Sequence, residues 1–193
     1  MSEAILEPEL PIIDPHHHLW DWRSRLPYLP AEMTHPFEAI LRQSPRYLLD
    51  ELLADTGSGH NVIGTVYVQC GAFYRADGPE AMQPVGETEF VNGVAAMAAS
   101  GIYGPTRACA GIVGHADLGL GDAVAEVLDA HLAAGGGRFR GIRHMMAHDD
   151  DNAVLGPLAH AAPNLCGSPQ VHAAVKHFAK RQLSLDIWVV EPQ

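Results

Sequence analysis

The chain has 193 residues, 23 of them acidic against 12 basic, and a formal charge of −11, which argues against nucleic acid and anionic membrane as partners. That length suits one domain with a sizeable core. A cytoplasmic location is expected, because no apolar run reaches the ~20 residues of a membrane span and the acidic stretch Met1 to Glu7 is unlike a secretion signal.

Ile12-Ile13 is the first predicted strand and runs into Asp14-Pro15-His16-His17-His18-Leu19-Trp20-Asp21. On an extended strand alternate side chains share a face. His16 and His18 therefore project together, within about 4 Å of each other or converging on one point, and His17 points the other way. Two imidazoles so placed grip one metal ion or one polarised substrate oxygen. A surface His run or tag remnant fits poorly behind an apolar strand with Asp in front. In the loop that follows, Trp20, Trp22 and Tyr28 either wall a small-molecule pocket or pack over the strand ends.

Leu48, Leu49, Leu52 and Leu53 form one stripe of a helix around Arg46 to Ala54. Asn61 to Cys70 is β-branched and reads as a buried second strand. Thr88 to Ser100 is a helix with Gly101 just past its end. Arg107 to His115 is the third strand, Asp122 to Ala134 a helix, and Phe139 to His144 the fourth strand. Ser168-Pro169 reads as a cap with proline in the first turn, opening a helix from Val171 to Gln182. Leu183 to Val190 is the fifth strand. This alternation predicts a parallel sheet with crossover helices. Asp149-Asp150-Asp151 reads as a solvated loop. Cys70, Cys109 and Cys166 are odd in number and widely spaced, which predicts reduced residues of the core or the margin of a site rather than a zinc knuckle or disulfide framework.

Four segments carry a resemblance: Ile13 to Asp21, Val66-Tyr67-Val68-Gln69, Arg140-Gly141-Ile142-Arg143-His144 and Leu185-Asp186-Ile187-Trp188-Val189. In this order, over nearly the whole chain, they resemble the amidohydrolase-related family, in particular the group of predicted TIM-barrel hydrolases that includes sugar and dicarboxylate lactonases. The resemblance implies an α/β fold, a (β/α)8 barrel with its active site at the C-terminal strand ends. About five parallel strands are counted where that barrel needs eight, so the expectation for residues 1–193 is a partial TIM barrel, truncated on its C-terminal side, with helices on the outer face. A complete small open α/β domain is the alternative.

On that frame the strand ends place His16, His18 and His144 as catalytic candidates, and Gln69, Arg143 and Trp20 as substrate-binding candidates. Gln69 and His144 are expected to be the polar neighbours of the histidine pair, with His144 inward and Arg143 reaching round or else pairing with a helix. His115 reads as loop-facing. His131, His160, His172 and His177 read as surface residues of the outer layer. The family's pattern adds to the strand-one pair a histidine from strand five and an aspartate from strand eight. Strand five holds no histidine here, which leaves two states open: a divalent metal, zinc, on His16 and His18 with Glu191 as a further carboxylate, or a metal-free site. The expected function is hydrolysis of a lactone or similar small carbonyl substrate by water attack. A metal-dependent decarboxylase of the same family, or an inactive chain that only self-associates through open sheet edges, are the alternatives.

Overall fold

The computed structural model describes residues 4–29, 31–32, 35–156 and 161–190. Along the chain run β1 (Ile12–His17), β2 (Trp20–Asp21), α1 (Phe37–Gln43), β3 (Arg46–Tyr47), α2 (Leu49–Thr56), β4 (Val62–Val68) and α3 (Val85–Ala99). They are followed by β5 (Arg107–Gly114), α4 (Val124–Ala134), β6 (Phe139–Met145), α5 (Asn152–Leu155), α6 (Pro169–Val175) and β7 (Ser184–Trp188). Five strands join in the order β1-β4-β5-β6-β7, every neighbouring pair parallel, and the sheet curls into a half-barrel. The two-residue strands β2 and β3 pair antiparallel, apart from it.

The core lies between one face of this sheet and its helices. Tyr67, Ile112 and Ile142 from β4, β5 and β6 meet Val91 and Val94 of α3 and Val127 and Leu128 of α4 in one buried cluster. Each such side chain stabilises the fold by roughly 1.5–3 kcal/mol. Ala95 and Ala98, both buried, line the packed side of α3.

Strand β1 runs on from Ile13 to His17, and three predicted helices have bounds that differ by three residues or more. The helix read from Arg46 to Ala54 begins at Leu49 and ends at Thr56, because Arg46 and Tyr47 pair with Asp21 and Trp20 instead. Trp20 stacks on Tyr47 at 5.3 Å, and Glu51 Oε2 accepts the Leu48 N–H at 2.8 Å, starting α2 one residue later. The helix read from Thr88 starts at Val85, with Pro84 already in helical geometry. The helix read from Val171 to Gln182 is two pieces: α6 stops at Val175 and a 3-10 turn covers Ala179–Arg181. Gln182 ends that turn at φ 54°, and Arg181 is tied to Asp129 of α4 at 2.6 Å. Helix α1 occupies sequence read as loop.

Bulges in the sheet set which side chains face which way. On β6 the register passes from Ile112↔Phe139 to Val113↔Gly141, so Arg140 is an extra residue. Between Gly64↔Arg107 and Val66↔Gly111, β5 carries two extra residues. Cys109 sits there at φ 54°, fully buried, and its N–H donates to Thr65 Oγ1 at 2.9 Å. That hydrogen bond replaces the ladder bond the bulge interrupts.

Candidate active site at the strand ends

The end of β1 behaves as the period-two pattern requires. His16 and His18 turn to the face opposite the helices, with their Nε2 atoms 3.2 Å apart. His17 turns inward, where it meets Thr65 Oγ1 at 2.8 Å and packs edge-on against Tyr67. The N–H of His16 donates to Asp14 Oδ1 at 3.0 Å, shaping the turn in front of the pair.

His18 Nδ1 lies 2.7 Å from the Val68 carbonyl oxygen. A carbonyl only accepts, so Nδ1 carries the proton and Nε2 of the neutral ring keeps its lone pair. Burial, with the nearby Arg143 cation and two neighbouring imidazoles adding to it, pushes His18 down to about 4. The ring is thus neutral near pH 7, with a basic nitrogen aimed at His16.

Arg143 of β6 supplies the positive charge. Its Nη1 stands 3.4 Å from His16 Nε2 and its Nη2 donates to the Gln69 carbonyl oxygen. Its buried Nε has no hydrogen-bond partner among the described residues. Burial lowers its pKa, and Asp186, its register partner on β7, supports the charge. A guanidinium starts so high that it stays cationic.

This corrects the expected roles of Arg143 and His144. Arg143 meets the histidine pair, whereas His144 faces the helix side, where its Nδ1 accepts the Leu118 N–H at 3.2 Å and its ring meets His115 edge-on at 5.2 Å. The Arg140 bulge is the reason. Phe139 lies on the helix side, stacked on His131 at 4.9 Å, and strict alternation from it would send Arg143 the same way. The extra residue reverses the phase, so Ile142 joins the core and Arg143 reaches the opposite face. Gln69 takes part through its backbone carbonyl rather than its side chain.

Two cavities open at these strand ends. One, about 360 Å³, is lined by His18, Trp20, Trp22, Arg143, Met145 and Trp188, with Ile40 and Leu41 of α1 as a further wall. The other, about 470 Å³, is lined by Gln69, Tyr74, His115, Asp117 and His144 among others. Cys70 and Met145 border both. Trp20 lines the first cavity, and its indole N–H donates to Ser44 O at 2.7 Å. Tyr28 is 86% exposed and is no wall.

Two other histidines also differ from expectation. His115 is not loop-facing: its Nδ1 lies 3.0 Å from the Arg143 carbonyl oxygen. His131 is not a surface residue but fully buried, between Thr88 Oγ1 at 2.8 Å and the His115 carbonyl at 2.9 Å. His177 is half-buried and pairs with Asp122 at 2.7 Å, whereas His172 is exposed as expected. His160 and Glu191 lie outside the described residues.

Glu87 escaped the sequence reading altogether. It is 1% exposed on α3, and its Oε1 accepts from Tyr67 OH at 2.8 Å and from the N–H groups of Cys70 and Ala72 at 3.0 Å each. It thereby ties down the loop that borders both cavities. Burial raises its pKa against the pull of those hydrogen bonds, and its Oε2 has no hydrogen-bond partner among the described residues. Burial and the Glu87 charge push the neighbouring Cys70 thiol up to about 12, so it is no nucleophile.

Among the described residues His16 and His18 are two converging donors, where a zinc site has three or four. The 3.2 Å between the two Nε2 atoms matches the roughly 3.3 Å between two nitrogens on a tetrahedral zinc. No group of three or more His, Cys, Asp or Glu side chains converges among the described residues, and beside His16 stands the Arg143 cation. No helix among the described residues is long and apolar enough to cross a membrane.

No family model matches the chain. Over 182 residues it is 31% identical to an uncharacterized protein, y4mH, of Sinorhizobium fredii, an alignment that takes in 93% of this chain and 54% of that protein. The chain therefore spans about half the length of this relative, to which it is similar along almost its entire sequence.

Proposed function

We propose that this chain carries the strand-end site of an amidohydrolase-related hydrolase with a partial (β/α)8 barrel, opening a lactone or similar small carbonyl substrate by attack of water. The observation that carries this reading is the His18 ring, whose Nδ1–H is held by the Val68 carbonyl so that its Nε2 lone pair points to His16, with a half-buried Arg143 cation on the far side of His16. Water attacks the acyl carbon and gives its proton to His18 Nε2 as general base. The ring C–O bond then breaks, and the imidazolium returns the proton to the tethered leaving alkoxide, so the product of a lactone is a single hydroxy acid. Arg143 pairs with a carboxylate of the substrate or with the oxygen where negative charge develops. Trp20, Trp22 and Trp188 enclose this in apolar surface, which strengthens each electrostatic contact.

The steps use the protein's own groups: among the described residues His16 and His18 are two converging donors where three or four are usual for a metal. A metal-dependent decarboxylase gains no support on the same ground. The inactive, self-associating alternative has one observation in its favour: Ile13, on the edge strand β1, is 62% exposed, and Ile187, on the edge strand β7, 41%.

The test is turnover of a panel of four- to six-membered carboxylated and neutral lactones by the purified chain and by His18→Ala. The variant is expected to lose about 10²–10⁴-fold in kcat/KM, with wild-type kcat/KM rising as pH increases through about 4 and flat at neutrality. Turnover that survives His18→Ala refutes the assignment. No turnover of any lactone, joined to concentration-dependent association, favours the inactive reading.

A further inference from the structure

The second cavity lies beyond Cys70 and Met145 from Arg143 and is not used by the proton transfers above. Among the polar side chains of its walls, Gln69, Tyr74, His115 and His144 are uncharged. Their hydrogen-bonding character is fixed by the backbone behind them. The Leu118 N–H donates to His144 Nδ1 at 3.2 Å, so that nitrogen holds a lone pair. Burial, followed by the neighbouring His115, lowers His144 to about 4, and the single proton of the neutral ring is on Nε2. His115 is the reverse. Its Nδ1 lies 3.0 Å from the Arg143 carbonyl oxygen, which only accepts, and burial lowers its pKa too. His115 Nε2 therefore keeps the lone pair.

The cavity thus offers one fixed donor, His144 Nε2–H, and one fixed acceptor, His115 Nε2, on rings 5.2 Å apart. The side-chain amide of Gln69, a residue only 5% exposed, adds both kinds of group and makes no hydrogen bond within the described residues. The Tyr74 hydroxyl is likewise without one, and burial raises its pKa, keeping it neutral. Among the described residues no Lys or Arg side chain lines the space, and the one charged group is the Asp117 carboxylate, on an exposed residue that accepts the Gly119 N–H at 2.8 Å. Such walls repel an anion and desolvate a purely apolar group at a loss. They suit a neutral group that donates and accepts at once.

We propose that this cavity is a second binding subsite, in which His115 and His144 together select a hydroxyl or a primary amide of the ligand. A ligand bridging both cavities would place its anionic end at Arg143 and its neutral polar arm between the two histidines. As a statement about substrate this rests on the hydrolase reading. As a statement about binding it stands apart, because its test involves no turnover.

The test uses the chain labelled with ¹⁵N-histidine and a long-range ¹H–¹⁵N spectrum, which shows which ring nitrogen carries each proton. The expected pattern is Nδ1–H for His115 and Nε2–H for His144. Three probes are then titrated at equal concentration: erythritol for hydroxyls, succinamide for primary amides and succinate for anions. Erythritol or succinamide is expected to shift His115 and His144, and the one that does so names the group preferred. Succinate is expected to move His18 and leave His115 and His144 in place. In His144→Phe the response of His115 to the neutral probe is expected to disappear, while the unperturbed His17 signal reports that the fold is intact. A reversed tautomer at either ring overturns the proposal. So does a shift of both rings by succinate as large as that by the neutral probes, or no shift by either neutral probe.

Discussion

Replacing Glu87 separates two ways in which a buried carboxyl could hold the loop at the end of β4. Its Oε1 takes hydrogen bonds from Tyr67 OH, Cys70 N and Ala72 N, at 2.8, 3.0 and 3.0 Å. Glu87→Ala leaves three donors without that acceptor. At about 1–3 kcal/mol for each of the three buried donors left unsatisfied, the loss is expected to be about 3–9 kcal/mol. That is a large share of the roughly 5–15 kcal/mol that holds a domain together. Glu87→Gln keeps an oxygen for the three donors and places an amide where Oε2 has no hydrogen-bond partner. Burial raises the Glu87 pKa by disfavouring the charged form, and an amide resembles the neutral one. Glu87→Gln is therefore expected within about 1 kcal/mol of wild type. The sign of the pH effect follows. A carboxyl with a raised folded-state pKa stabilises fully below its unfolded value and loses that contribution as pH rises through the folded one. The wild-type chain should lose stability relative to Glu87→Gln as pH rises above the ordinary carboxylate range. Urea unfolding of all three proteins at two pH values measures this. If Glu87→Gln is as damaging as Glu87→Ala, negative charge rather than hydrogen-bond acceptance holds the loop, and the reasoning fails.

Three further outcomes are expected. His131 is fully buried and pushed down to about 4, chiefly by burial; its neutral form is the one that folds, so its contribution is complete above pH 6.5 and is lost as pH falls toward 4. Moving a histidine between those values is worth on the order of 3 kcal/mol, and acid unfolding curves of His131→Gln should lack part of that slope; unchanged curves would falsify it. Gly114→Ala places a methyl 2.9 Å from Phe139 Cε2 and 3.1 Å from His131 Cε1, and overpacking of this kind is expected to cost about 1–3 kcal/mol in chemical unfolding, whereas a neutral result would mean that Phe139 has room to move. The exposed edges β1 and β7 are expected to drive concentration-dependent association in light scattering, weakened by Ile187→Lys; a monomer at every concentration tested speaks against it.

The alternation of strands and helices and the pairing of His16 with His18 were legible because they rest on local periodicity. Val62 to Val68 is β-branched wherever it is read, and a period of two needs no knowledge of neighbours. The faces of β6 were not legible. Whether Arg143 or His144 meets the histidine pair depends on one extra residue opposite Ile112 and Val113, which is a property of pairing between strands distant in sequence. His131 was misread for a related reason: a polar residue on a helix looks like surface until Thr88 and the His115 carbonyl appear as its partners. Glu87 has the same character, an acid in a stretch whose burial the sequence does show, Val85 to Ala98, but whose three donors come from elsewhere.

The extra residue at Arg140 also bears on how such a site changes over generations. Two neighbouring side chains of opposite character, a cation and a neutral imidazole, are assigned to two adjoining cavities by the count of residues before them. Loss of that codon would place Arg143 three residues after Phe139, so strict alternation alone would keep the guanidinium at the histidine pair and the imidazole in the chamber lined by Gln69 and Tyr74. An in-frame deletion at the bulge would therefore be silent at the site, whereas straightening the bulge with every residue kept would swap the ligand preferences of the two chambers without a single substitution.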